Sequence, residues 1–127
     1  MELTANVNWL AVVVGAVAAF LLGWLWYSPK LFGEKWAKGV GISLDKADGP
    51  PVAALVVQAV GTFLLAWIVG VTAAAYALLT IILIVAVVVC LNITSGLFGK
   101  RSTYAIATES GFIVAMAVVM IVAQGIL

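Results

Sequence analysis

The basic residues of this chain are confined to two of the three polar segments that separate four long apolar segments. All six lie in the first and third polar segments, as Lys30, Lys35, Lys38, Lys46, Lys100 and Arg101. If each apolar segment crosses a bilayer, the first and third polar segments face the same side, and their excess of basic residues marks that side as cytoplasmic. The pattern predicts an integral protein of the cytoplasmic (inner) membrane, with both termini outside and loops 28–51 and 99–103 in the cytoplasm.

The composition excludes an ordinary soluble domain. Of the 127 residues, 66% are hydrophobic and 9% are charged, whereas soluble domains contain roughly 25% charged residues. A chain this short has no soluble core large enough to bury so much apolar surface. Its net charge is only +1, and the basic residues are placed to interact with anionic lipid headgroups. The expected partner is the lipid bilayer, with no nucleic acid.

The apolar segments predict an all-α integral membrane protein with four transmembrane helices in an antiparallel bundle. An apolar helix needs about 20 residues to cross the hydrocarbon. A single domain of residues 1–127 is expected, with spans at about 8–27, 52–70, 77–98 and 104–126. The connection between the second and third spans is short and uncharged, which predicts a tight hairpin on the outer side.

The first cytoplasmic loop is predicted to contain a short interfacial helix over about residues 29–39. Ser28 and Pro29 are residue types favoured at the N-cap and first position of a helix, and Gly39 or Gly41 supplies the stop. Apolar side chains can share one face of this helix while charged side chains take the rest, which is typical of a helix in the headgroup plane. Docking of a cytoplasmic partner is the alternative.

Aromatic residues cluster at the ends of the predicted spans. Tyrosine and tryptophan rings prefer the membrane interface, so these residues are predicted to anchor the helices there. Those at the inner border are Trp24, Trp26, Tyr27, Phe98 and Tyr104.

Several blocks of residues resemble a known family. They are Asn8-Trp9-Leu10-Ala11, Leu25-Trp26-Tyr27-Ser28-Pro29, Leu31-Phe32-Gly33 with Trp36, Leu97-Phe98-Gly99-Lys100-Arg101-Ser102, and Gly111-Phe112. With these blocks, most of the chain resembles the bacterial membrane proteins catalogued as domain of unknown function 1761. The resemblance implies a small four-helix bacterial membrane protein with a polar residue at the position of Glu109. It brings no assigned activity.

Small residues recur every four positions along the first span. They form a ridge of Ala11, Gly15, Ala19 and Gly23, and Gly111 belongs to a shorter ridge in the fourth span. Small side chains allow two helix backbones to approach closely, so these residues are predicted to pack helices. The facing helix belongs either to the same chain or to a second subunit of a homo-oligomer, and the sequence leaves both alternatives open.

Three polar residues on three spans are predicted to share one layer in the inner half of the membrane. They are Gln58, Asn92 and Glu109, and at 1.5 Å per residue each lies about 8 to 9 Å from the predicted inner border. Because polar groups avoid lipid, the three side chains should turn inward and meet. The supporting polar residues are Thr62, Ser95, Thr108 and Ser110.

Two interpretations of this layer compete. In the first, the layer is a hydrogen-bonded clamp that sets the register of the helices. In the second, it is a site for a proton, a cation or a substrate, because a carboxylate inside the membrane without Lys or Arg on its own span marks a functional site.

These patterns leave three function classes. The first is an oligomeric transport or channel protein for a proton, cation or small solute of unknown identity. The second is a non-catalytic structural or accessory subunit that binds partner proteins, and the third is an enzyme acting on lipid. The chain has no His, no second carboxylate in a predicted span and no base to activate Cys90, so no enzyme activity, metal or cofactor is expected.

Overall fold

The computed structural model describes residues 3–28, 30–41 and 52–127, which form five helices. These are α1 (Trp9–Trp26), α2 (Gly33–Val40), α3 (Val52–Ala74), α4 (Leu78–Phe98) and α5 (Thr103–Ile126). Four of them, α1, α3, α4 and α5, are long and apolar enough to cross a membrane. The predicted fold class is confirmed: the protein is all-α, with four candidate membrane spans and a short helix between the first and second. The bounds differ from the predicted ones mainly in α3, which continues to Ala74.

Helix α5 is the centre of the bundle. It packs against each of the other four helices, whereas α4 contacts only α3 and α5 extensively. The core along α5 contains Phe112, Met116 and Met120, which are all buried. On α4 only Ile81 and Gly96 are buried. The position of α5 therefore brings its polar residues close to every other element.

The α3–α4 connection is the tight hairpin predicted from the sequence. Three residues separate the two helices, and Tyr76 has a φ of 56° in the left-handed region, which reverses the chain. The backbone N–H of Ala77 donates to the carbonyl of Thr72 at 2.7 Å and closes the turn.

The first and third polar segments lie at the same end of the bundle. The N–H of Ser102, which precedes α5, donates to the carbonyl of Gly39 on α2 at 3.0 Å. The backbones come so close that a Cβ on Gly39 would overlap the Ser102 hydroxyl. The basic residues Lys38 and Arg101 are therefore at one end of the protein. Lys46, which was assigned to the same segment, lies outside the described residues.

Helix α2 differs from the predicted helix in where it begins and what it contacts. It starts at Gly33, and the hydroxyl of Ser28 donates to the carbonyl of Leu25 at 2.8 Å instead of capping it. Pro29 lies outside the described residues. The helix ends at Gly41, whose φ of 80° suits a glycine at a helix C-terminus. The helix packs against α5, and its buried residues are Gly33 and Ala37.

Candidate functional site

Arg101 is held at the basic end of the bundle by a tight turn between α4 and α5. Lys100 has a φ of 56°, and the N–H of Arg101 donates to the carbonyl of Gly96 at 2.9 Å. The next residue, Ser102, caps α5 by accepting the N–H of Ala105 at 3.0 Å. This turn lets the Arg101 side chain run back along α5, toward the interior of the bundle.

The Arg101 side chain forms an ion pair with Glu109 on α5. Its Nη1 lies 3.1 Å from Oε2 of Glu109, and the two side chains are 24% and 13% exposed. The indole Nε1–H of Trp36 on α2 donates to the same Oε2 at 3.0 Å. The Nη2 group of Arg101 donates to the backbone carbonyl of Asn92 on α4 at 3.4 Å. This polar cluster of Trp36, Asn92, Arg101 and Glu109 connects α2, α4 and α5.

Two buried atoms of the ion pair have no hydrogen-bond partner among the described residues. They are Nε of Arg101, a donor, and Oε1 of Glu109, an acceptor. Buried polar atoms in proteins are nearly always bonded to protein or water. The ion pair can therefore offer one donor and one acceptor to water or to a small polar ligand.

The structure brings together two of the three residues of the predicted polar layer. The Nδ2 amide of Asn92 donates to the hydroxyl of Ser110 on α5 at 3.3 Å, so Asn92 and Glu109 both contribute to the polar cluster. Gln58 does not join them. Its Nε2 donates to the hydroxyl of Thr62 on its own helix at 3.2 Å, and Gln58 is exposed.

The divergence of α3 explains why Gln58 is separate. Between Val52 and Gly61 every residue except Leu55 is exposed, whereas Thr62 and Ala66 further along are buried. Hence α3 packs mainly along its C-terminal half, and its N-terminal half diverges from the other helices.

The remaining supporting residues have local roles. The hydroxyl of Thr108 donates to the carbonyl of Tyr104 at 2.8 Å on the same helix. The carbonyl of Thr108 in turn accepts the indole N–H of Trp26 on α1 at 2.9 Å. Ser95 is exposed on α4.

Sequence reasoning missed Arg101, Trp36 and Trp26 as parts of this region. Arg101 was interpreted as a topology signal and as part of the family resemblance. It precedes Glu109 by eight residues, and the two long side chains can meet because a glutamate on a helix leans toward the helix N-terminus. Trp26 was interpreted as an interface anchor, but its indole joins α1 to α5. A buried indole N–H needs a hydrogen-bond acceptor, and this requirement could have indicated that these tryptophans bond to another helix.

The small-residue ridge of α1 packs within the chain. Ala11, Gly15 and Ala19 are buried, and a Cβ on Gly15 would lie 3.3 Å from Cα of Met120 on α5. A Cβ on Gly23 would lie 3.0 Å from the ring of Phe112, also on α5.

Gly111 on α5 faces an aromatic ring of α1. A Cβ on Gly111 would lie 3.3 Å from the ring of Trp26. The α1–α5 contact therefore uses the small residues of both helices, and a second subunit would have to bind elsewhere.

Two surface cavities lie near these elements. One, of about 190 Å³, is at the basic end and is lined by Trp26, Phe32, Tyr104, Ala107 and Thr108. The other, of about 220 Å³, is an apolar groove between α1 and α3. Within residues 3–28, 30–41 and 52–127, no group of three or more His, Cys, Asp or Glu side chains is placed to hold a metal ion.

Comparison with known proteins identifies one family. The model of the family described as "Protein of unknown function (DUF1761)" matches residues 10–125, nearly the whole chain. No curated protein and no solved structure matches the chain.

Proposed function

This chain belongs to the DUF1761 family, whose description carries no activity, and we propose that it is a membrane transport protein that works as a homo-oligomer. Its transport site is the Arg101–Glu109 ion pair with Trp36. The proposal includes no enzymatic reaction, since the polar cluster consists of an ion pair, an amide and an indole and does not pair a nucleophile with a base.

The observation that supports transport is the partly buried carboxylate of Glu109 within the apolar helix α5, paired with Arg101 from the preceding turn. Ionisable residues within membrane spans are costly and mark ion or substrate pathways. Arg101 and Glu109 also retain one buried donor and one buried acceptor without a partner among the described residues. A purely structural ion pair would be more stable with these atoms bonded as well.

The charge of the pair indicates the class of solute. A metal cation at Glu109 would have to compete with the guanidinium of Arg101, 3.1 Å away. A proton on Glu109, in contrast, removes the negative charge and leaves Arg101 as an unpaired cation in a poorly solvated site. An anion bound to Arg101 would compensate that charge. The substrate class is therefore a proton together with a small anion, which bind as a neutral set.

Helix α2 supplies a cover for the site. Trp36 bonds directly to Glu109, and its ring packs 4.9 Å from the ring of Tyr27, the residue after α1. Movement of α2 away from α5 would break the Trp36 hydrogen bond and expose the ion pair at the basic end of the protein. We propose that this end is cytoplasmic, in line with the positive-inside rule, and that both termini are outside.

An accessory role is the second candidate, with α4, the least buried of the four candidate spans, as its contact surface. Leu79, Leu91 and Phe98 are 81%, 65% and 87% exposed. They lie at both ends and in the middle of this helix, so a membrane partner could cover its whole length. A protein of this kind would retain the ion pair only to hold α2, α4 and α5 together.

Transport is tested with purified protein in liposomes that contain a trapped pH indicator. Inward gradients of chloride, sulfate, phosphate or gluconate are imposed at equal pH and with the membrane potential clamped. We expect at least one anion to acidify the interior, and the Arg101→Gln and Glu109→Gln variants to lose this flux.

The matched control is Lys100→Gln, which removes a charge from the neighbouring exposed residue and should keep the flux. If wild-type liposomes acidify no faster than empty ones with all four anions, the transport proposal is wrong and the accessory role remains. A flux that persists in Glu109→Gln would remove the ion pair from the mechanism.

A further inference from the structure

The N-terminal half of α3 is the least packed part of this helix. From Val52 to Gly61 every residue is exposed except Leu55, which is partly buried. For most of these residues exposure has no cost in a bilayer, because lipid tails are as apolar as their side chains. Their exposure alone therefore does not indicate a binding partner.

Gln58 is the exception in this segment. It is exposed, and the one hydrogen bond of its side chain among the described residues runs to Thr62 on the same helix. A carboxamide has two donors and an oxygen with two lone pairs, so most of its bonding capacity is left. Gln58 lies six residues from the start of α3, about 9 Å along the helix. Unsatisfied polar groups at such a depth are costly, so this side chain requires a polar partner that lipid tails cannot supply.

Gly61 is exposed one turn away from Gln58. No atom lies within 4 Å of the position that its Cβ would occupy. A glycine beside a polar residue lets the backbone of another helix approach closely enough for the polar side chains to bond. The glycines of the α1–α5 contact are used within the chain, whereas Gly61 is open to a partner.

We infer that two copies of this chain pair through the N-terminal half of α3, with Gln58 of each copy bonded to Gln58 of the other. Two copies in the same orientation are related by a two-fold axis along the membrane normal, which places identical residues at the same depth. A carboxamide is self-complementary, because its N–H can donate to a second carboxamide that donates in return. Gln58 of a second copy therefore supplies the polar partner that this side chain requires, and no other residue is needed. The interface rests on the proposal that the protein is a homo-oligomer and does not depend on transport.

Disulfide cross-linking tests the position of the interface. Gln58→Cys is prepared in a Cys90→Ser background, which removes the exposed native cysteine, and native membranes are treated with copper phenanthroline. We expect a cross-linked dimer. The control is Val60→Cys, two residues further on and also exposed, which faces the other side of the helix and should remain monomeric.

The strength of association tests the role of the carboxamide. In liposomes, Gln58→Leu should raise the dimer dissociation constant roughly 3- to 20-fold, as expected for loss of an interhelical hydrogen bond. Gln58→Asn should retain part of the affinity. Helix content measured by circular dichroism should be unchanged in both variants, because among the described residues of one chain the Gln58 side chain bonds only to Thr62 on its own helix.

The outcomes separate the two proposals. A wild-type protein that is monomeric in liposomes would overturn both the homo-oligomer and this interface. A dimer that cross-links through Leu83→Cys on α4, but not through Gln58→Cys, would keep the homo-oligomer and overturn the α3 interface.

Discussion

At the scale of single residues, Arg101 determines what Glu109 can do. The guanidinium lies 3.1 Å from the carboxylate, so together they form a pair with no net charge. Trp36 donates a further hydrogen bond to the same oxygen of Glu109. The carboxylate is therefore bonded within the protein, and any solute that binds there must displace or protonate one of these groups.

The energetic coupling of the pair can be measured by a double-mutant cycle. Glu109→Leu leaves the guanidinium of Arg101 unpaired, and the free energy of unfolding in bicelles should fall by about 2 kcal/mol. This value is intermediate because the pair is partly buried: breaking a fully buried ion pair costs more, and breaking an exposed pair costs less. The double variant Arg101→Leu/Glu109→Leu should recover most of this loss, because no unpaired charge remains. Strictly additive effects of the two single substitutions would show that the pair is not coupled.

At the scale of helices, α1 and α5 are joined by close backbone contact. The Cα of Met120 lies 3.3 Å from the position of a Cβ on Gly15, and both residues are buried. Backbone atoms cannot rotate out of the way as a side chain can, so this contact has little tolerance for larger residues. In α3, by contrast, the space beside Gly61 is open.

The pair Gly15→Leu and Gly61→Leu distinguishes contacts within one chain from contacts between chains. Gly15→Leu should separate α1 from α5 and lower the free energy of unfolding of the monomer by about 1–3 kcal/mol, the usual cost of overpacking. Gly61→Leu should leave the unfolding of the monomer unchanged and weaken only the association of two copies. Unfolding in detergent and association in liposomes are measured separately for both variants. Loss of dimer without loss of monomer stability in Gly15→Leu would contradict the packing of α1 within the chain.

At the scale of the whole molecule, the described basic residues lie at one end of the bundle. The turn before α5 and helix α2 meet through Ser102 and Gly39, which places the described basic residues at one end. The opposite end holds the α3–α4 turn, which contains no charged residue. Under the positive-inside rule we propose that the basic end faces the cytoplasm.

Thiol labelling in intact cells tests this orientation. In a Cys90→Ser background, a cysteine at the exposed position Ala75, in the α3–α4 turn, should react with an impermeant reagent. A cysteine at the exposed position Lys100 should react only after the membrane is made permeable. The reverse pattern would show that both termini are in the cytoplasm.

The sequence by itself determined the number of spans and the hairpin between α3 and α4. Both depend on local properties, since about 20 apolar residues suffice to cross the bilayer whatever their neighbours are. The short uncharged segment before α4 allows only a tight turn. The spacing of Gly15 and Ala19 likewise showed that a helix would pack closely there, although it did not show which one.

Only the tertiary structure decided which polar residues meet. Gln58, Asn92 and Glu109 lie at similar depths along their helices, and depth was the one coordinate that the sequence supplied. Their contacts also depend on the directions of the helices. Because α3 diverges at its N-terminal half, Gln58 is exposed. Because the turn at Lys100 directs Arg101 along α5, Glu109 has a cationic partner. Helix crossing and side-chain reach are properties of the packed bundle, which no single segment of the chain encodes.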